Sequence, residues 1–134
     1  MAKWCDEGED DVLDVYFSND QAHRTSLWVG LYKDSTEPAE GATIATITEE
    51  TGSGYARQEI TDAQWTVGAG PTATAVQVTF AATGDWTGAV RGYFLTTVVT
   101  PAAGLLLAVE HFPDPGYTVT NGGSVKVTCK VTAS

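Results

Sequence analysis

Nucleophilic catalysis needs a serine or cysteine beside a base, with an acid behind the base to orient it. The chain offers two histidines for that role: His23 in a polar stretch and His111 at the end of an apolar run. Glu110 adjoins His111, but neighbours along a strand point to opposite faces, so the two form no local dyad. Gly52-Ser53-Gly54 is a tight turn that lacks the G-x-S-x-G spacing of a nucleophile elbow. Two histidines so far apart do not make a zinc site. The spaced carboxylates and glycine of a Ca²⁺ loop are missing from the acidic N-terminus. Glu49, Glu50, Glu59, Asp62 and Asp85 are scattered carboxylates, and nothing singles out a pair for glycoside hydrolysis. Gly68-Ala69-Gly70-Pro71 has neither the lysine nor the following helix of a phosphate loop. The expectation is a protein that is not an enzyme, with no catalytic residue, no cofactor and no metal.

Aromatic residues leave a second kind of chemistry open. Trp4, Trp28, Trp65 and Trp86, with Tyr32, Tyr55, Tyr93 and Tyr117, are enough to build a stacking platform for a sugar. Trp28 and Tyr93 sit inside apolar runs and read as core. Trp65 and Trp86 are bordered by Thr, Gln, Asp and Gly, so one of them is expected at the surface as a binding or interface residue.

The elements that would position these residues are mostly strands. Tyr93–Val99 and Leu105–Phe112 are apolar runs rich in Val, Phe, Tyr and Thr, separated by Thr100-Pro101-Ala102-Ala103-Gly104. Pro and Gly break any helix through the stretch, and so short a link joins antiparallel strands. Neither run alternates cleanly, which suits strands buried on both faces. This hairpin is the expected centre of the fold. Leu27–Tyr32, Thr43–Thr48, Tyr55–Ile60 and Gln64–Val67 read as further strands. Ala75–Ala81 puts Val76, Val78 and Phe80 on one face, and the last strand puts Val125, Val127, Cys129 and Val131 on its inner face. Tyr117–Thr120 is a further short pairing segment after the Pro113-Asp114-Pro115-Gly116 turn. About eight short strands with regular turn signals indicate an all-β fold, a jelly-roll-like β-sandwich.

One helix is expected, over residues 7–19. Val12, Leu13, Tyr16 and Phe17 fall at i, i+1, i+4 and i+5, an apolar stripe behind a first turn of carboxylates favoured by the helix dipole. The stripe is expected to pack on the sandwich or on a neighbour. The chain thus divides into an acidic N-terminal arm, 1–26, and a β-sandwich domain, 27–134.

With 134 residues, one domain buries roughly two-thirds of its unfolded surface. No apolar stretch approaches the roughly 20 residues that span a bilayer, and no signal-peptide pattern opens the chain. A formal charge of −10 argues against nucleic acid as a partner, because phosphates call for Lys and Arg. Cys5 and Cys129 read as free thiols of a cytosolic protein, and sequence provides no geometry for a bridge between them.

Three stretches together resemble a family of small tailed-phage virion proteins. LWVGLYKDSTEPAEG is similar to the strand, acidic loop and Gly pattern that opens the family. TEETGSGYARQEI is similar to its T-E-x-x-G-x-G-Y-A-R segment, and TFAATGDWTGAVRGYFL with GLLLAVEHF to its core. Within this match GSGYAR, residues 52–57, is the most specific piece. The resemblance implies a structural protein of the virion without enzymatic activity, assembled in the host cytoplasm. Its members serve as capsid decoration or cement proteins, and related modules occur in tails and fibres. A short chain without a coiled or repetitive shaft favours decoration of the capsid surface. The implied partners are the major capsid protein and further copies of the chain, as a trimer. A tail or fibre module that binds a host glycan is the alternative. Tyr55 is expected to anchor a strand start in the core. Arg57 is expected to pair with a carboxylate or with a neighbouring subunit.

Overall fold

The computed structural model describes residues 1–18 and 22–133. Their fold is an all-β sandwich with one short N-terminal helix. The strands are β1 (Lys3–Trp4), β2 (Ser26–Tyr32), β3 (Gln58–Thr61), β4 (Trp65–Val67) and β5 (Thr72–Ala81), then β6 (Ala89–Val90), β7 (Gly92–Thr96), β8 (Leu106–His111), β9 (Tyr117–Thr118) and β10 (Ser124–Thr132). A five-stranded sheet in the order β1-β8-β7-β2-β3 faces a three-stranded sheet β10-β5-β4, while β6 and β9 pair separately. Every strand pairing is antiparallel.

The central hairpin forms where the apolar runs place it. Phe94 pairs with Val109 and Leu95 with Ala108, and all of β7 is buried. Tyr93, Leu95 and Leu107 join Val78, Phe80, Val127 and Cys129 in the core between the sheets. The opposite face carries Phe94, Leu106 and Val109, which pack with Cys5, Tyr32 and Ile44 in a second cluster. Two buried faces explain why these runs do not alternate. Each fully buried Phe or Leu side chain contributes roughly 1.5–3 kcal/mol.

Three local expectations are corrected. Thr43–Thr48 is not a strand: Ile44–Thr46 is a 3₁₀ turn closed by Thr43 and Thr46, whose Oγ1 accepts the Thr43 N–H at 2.9 Å. Ile44 joins the second cluster from that turn with Ile47 packed against it, so the β-branched residues serve a cover and not a ladder. The strand read at Tyr55–Ile60 begins only at Gln58, because residues 55–57 are engaged in side-chain contacts described below. In β5, Thr128 pairs with Gln77 but Lys130 with Thr74, which leaves an extra residue in β5 opposite Cys129. This bulge reverses the alternation, so Ala75 points inward and Val76 is 45% exposed.

The helix α1 spans Asp6–Leu13 and continues as a wider π-type turn over Asp14–Ser18. Asn19, the last residue of the expected helix, lies outside the described residues, as does Asp20 of the expected stop. Before α1, the first residues stitch the two sheets together. β1 adds to the edge of β8, the Ala2 N–H donates to the Lys130 carbonyl at 2.8 Å, and Trp4 Nε1 donates to the Thr132 carbonyl at 3.0 Å. Trp4 is thereby set at one end of the sandwich, beside Ala133.

Candidate interaction surface

The orientation of α1 follows from its first turn. The Cys5 N–H donates to the Leu107 carbonyl at 2.9 Å, and the Glu7 carboxylate accepts the Leu106 N–H at 2.7 Å. Gly8 lies so close to β8 that a Cβ built on it would sit 2.2 Å from the Leu107 oxygen. One turn on, Asp11 turns inward and accepts two hydrogen bonds from Arg24, at 2.5 and 3.2 Å. Side chains three apart share a helix face, so Gly8 and Asp11 define the inner one. The apolar stripe is left outside: Val12 is 41%, Leu13 53%, Tyr16 80% and Phe17 83% exposed. α1 therefore does not pack on the sandwich through its stripe.

Two shallow apolar depressions carry this surface onto the body. The first, about 290 Å³, is bounded by Trp4, Glu9, Val12, Leu13 and Ala133. The second, about 360 Å³, shares Trp4 and Ala133 and is lined further by Trp65, Val67 and Pro71. Val12 and Leu13 of the stripe and Trp65, distant in sequence, thus lie on one continuous surface joined by Trp4. Val67 stands out of it at 75% exposure. Glu9 borders the first depression, and Asp6, Asp10 and Asp14 are exposed on the same segment. Trp4 and Val67 are not singled out as interface residues by sequence reasoning. The usable signal is Gly8: a glycine inside a helix costs about 1 kcal/mol relative to alanine, so its presence marks a close approach.

The remaining two interface candidates are scaffold. Arg57 has no exposed side-chain surface. Its Nε and Nη2 donate to Glu49 at 2.8 and 2.7 Å, and Nη1 donates to the carbonyls of Val98 at 2.9 Å and Ala103 at 3.0 Å. The guanidinium carbon lies 5.2 Å from the centre of the Phe94 ring. Of its two expected partners, a carboxylate or a neighbouring subunit, the carboxylate is the one found. Tyr55 accepts the Leu31 N–H at 3.0 Å and donates to Glu49 at 2.8 Å, while its ring stacks on Phe80. Burial, with the Glu49 charge second, pushes the Tyr55 phenol well above its usual range. Trp86 is 4% exposed and donates from Nε1 to the Ser53 carbonyl at 2.9 Å. Its ring lies over Gly52, where a Cβ would approach to 2.1 Å. A sugar platform on Trp86 is thereby ruled out, and Trp65 is the half-exposed one of the pair.

The polar candidates for catalysis are engaged elsewhere. His111 Nδ1 lies 3.0 Å from the Tyr32 hydroxyl, and the rings stack. Ser26, which shares a depression with His23, donates to Glu59 at 2.5 Å. Cys5 and Cys129 are buried free thiols, and burial raises them to about 11 and about 12. Such thiols are poor nucleophiles. Among the described residues no group of three or more His, Cys, Asp or Glu is placed to hold a metal ion. Among the described residues no helix is long and apolar enough to cross a membrane.

A family model described as podophage GP4 fiber I protein gp80 matches residues 3–132. That match spans almost the entire sequence, and the chain belongs to this family of phage virion structural proteins. The resemblance carried by GSGYAR and the strands around it is thereby borne out, although the family's description is that of a fibre. No curated protein matches the chain.

Proposed function

We propose, on the premise of this family membership, that the chain is a structural module of a podophage fibre, attached to a neighbouring virion protein through its apolar end. The observation that supports this reading is the exposed apolar surface on which Val12 and Leu13 join Trp4, Trp65 and Val67, with Tyr16 and Phe17 of the same segment 80% and 83% exposed. A contiguous apolar surface of this kind is held out of water only by a partner. Its carboxylate edge favours an apolar groove rimmed by Lys or Arg, and disfavours the same face of a second copy. The module's work is mechanical: a rigid, double-faced hairpin core transmits load between the bodies joined at its surfaces.

The reading as a capsid decoration protein on the major capsid protein would use the same surface, and the fibre description of the family weighs against it. Copy number separates the two. Quantitative mass spectrometry of purified particles is expected to give a small fraction of the count of the major capsid protein. A count equal to that of the capsid protein would overturn the fibre assignment in favour of decoration. Absence from the particle would overturn both.

A further inference from the structure

The structure assigns a second docking site, independent of the fibre reading, at the free edge of β10: the strand edge over Ser124–Thr128, with a groove beside Ser124–Lys126, takes an extended acidic segment of another protein by strand addition. Among the described residues β10 is the longest edge strand, paired with β5 and bridged on its other side by Ala2 at Val131. Its C-terminal half is covered. The Lys130 carbonyl accepts the Ala2 N–H, the Lys130 N–H reaches the Tyr93 hydroxyl at 3.4 Å, and the Thr132 carbonyl accepts Trp4. Backbone groups alternate sides along an antiparallel strand, so those of Thr128, Lys126 and Ser124 point the same way as those of Lys130. Among the described residues the backbone groups of Ser124, Lys126 and Thr128 make no hydrogen bond on that side. A row of unpaired N–H and C=O groups is a template for another strand.

The space beside this edge is shaped to receive one. A groove of about 380 Å³ runs between Ser124–Lys126 and Tyr117–Thr120, with Phe112 at its end. Phe112 and Tyr117 meet edge to face at 5.2 Å, and Tyr117 is 53% exposed, which makes an apolar seat for one side chain of the incoming strand. Lys126 is the charged residue lining the groove, and no carboxylate lines it. In a chain of net charge −10 this is a local positive site, complementary to a Glu or Asp on the segment. Main-chain bonds would supply affinity, and the Tyr117 seat with Lys126 would supply selectivity. A second copy pairing through the same free stretch of its β10, centred on Lys126, would set the two Lys126 side chains against each other, which disfavours that occupant. The site lies toward the opposite end of β10 from Trp4 and Ala133, so both surfaces can be occupied together.

The test uses the full chain, isotope-labelled, with a capped pentapeptide of alternating Glu and Val as probe. Backbone amide shifts are expected to be confined to Ser124–Thr128 and Tyr117–Thr120. The capped Lys/Val peptide is expected not to bind. Lys126→Glu should weaken binding by at least about tenfold, with an otherwise unchanged spectrum. Thr128→Pro, which removes a donor pointing away from β5, should abolish it without loss of fold. Shifts absent altogether, shifts mapping to α1 and Trp4, or equal binding of the Lys/Val peptide would each overturn the proposal.

Discussion

Residues 49–57 with Trp86, and residues 4–17, have the same ingredients: aromatic rings, carboxylates and well-placed glycines. They end in opposite environments. Around Arg57 the guanidinium, the Tyr55 hydroxyl and the Trp86 indole all find partners inside the protein. Around α1 the rings of Tyr16 and Phe17 find none inside. Glycine makes the difference in both. Gly52 admits the Trp86 ring, so an aromatic goes in; Gly8 admits the β8 backbone, so the helix presses its small face inward and its apolar stripe goes out. The comparison teaches that the face with the smallest side chain can be the buried one when backbone approaches backbone.

Breaking the buried region should cost most. Arg57→Ala leaves Glu49 facing a void and two carbonyls without donors, and removal of one partner of a buried pair costs about 3–5 kcal/mol. Against a total of roughly 5–15 kcal/mol this brings the domain close to unfolding. Arg57→Lys should recover only part, since an ammonium cannot reproduce the fork on Glu49 and both carbonyls. A urea midpoint for Arg57→Ala equal to that of the native chain would show that the network adds nothing. At the other region, Gly8→Ala forces a methyl group into the Leu107 backbone and should cost about 1–3 kcal/mol by overpacking. Hydrogen exchange should show the loss concentrated in α1 and the start of β8. Uniform loss across both sheets would mean that α1 is integral to the core.

The legible parts of the fold were those where one periodicity served one purpose. The hairpin of β7 and β8 and the inward row Val125, Val127, Cys129 and Val131 follow directly from pattern. Thr43–Thr48 reads as a strand from its β-branched composition, yet Ile44 and Ile47 are three apart, the spacing that puts both on one side of a 3₁₀ turn, and from there they cover a cluster. The β5 bulge is equally silent, because one extra residue opposite Cys129 is set by the partner strand and not by β5 itself. At the surface, the stripe Val12, Leu13, Tyr16 and Phe17 was legible as apolar and helical. Its direction was not, since that depends on Leu107, about a hundred residues away in sequence. Trp86 reads as a surface candidate because Asp85, Thr87 and Gly88 border it, and Arg57 because its charge calls for a carboxylate or a neighbouring subunit; in space Ser53 and Glu49 are the partners that permit burial.

The thiols sharpen the comparison at a smaller scale. Cys5 lies under the first turn of α1 and Cys129 between the sheets, with burial raising them from 9.0 to about 11 and about 12. A raised pKa means the folded state holds the proton more tightly. The associated stabilisation is complete below about pH 9 and is lost as pH rises through 11 and 12. At pH 8 neither thiol should react with a disulfide reagent until denaturant is added. Gly8→Ala should open Cys5 alone, because only that thiol depends on α1 being seated. Equal reactivity of both in the variant would show that α1 and the sandwich open as one unit.

The smallest expected effect on stability is the most telling. Tyr16→Ser with Phe17→Ser removes two large rings, which from a packed site would cost several kcal/mol. With both rings 80% exposed or more, the change should stay within about 0.5 kcal/mol, as for other surface substitutions. Particle content should behave oppositely, since the proposed attachment loses its most protruding apolar groups while the fold is intact. A stable variant missing from purified particles would assign the rings to a partner. A variant destabilised by more than about 1 kcal/mol would place them in intramolecular contacts and erase the contrast with Arg57. A stable variant incorporated at the native level would keep the contrast but move the attachment to Trp4, Trp65 and Val67, where Trp65→Ala is the next substitution to make.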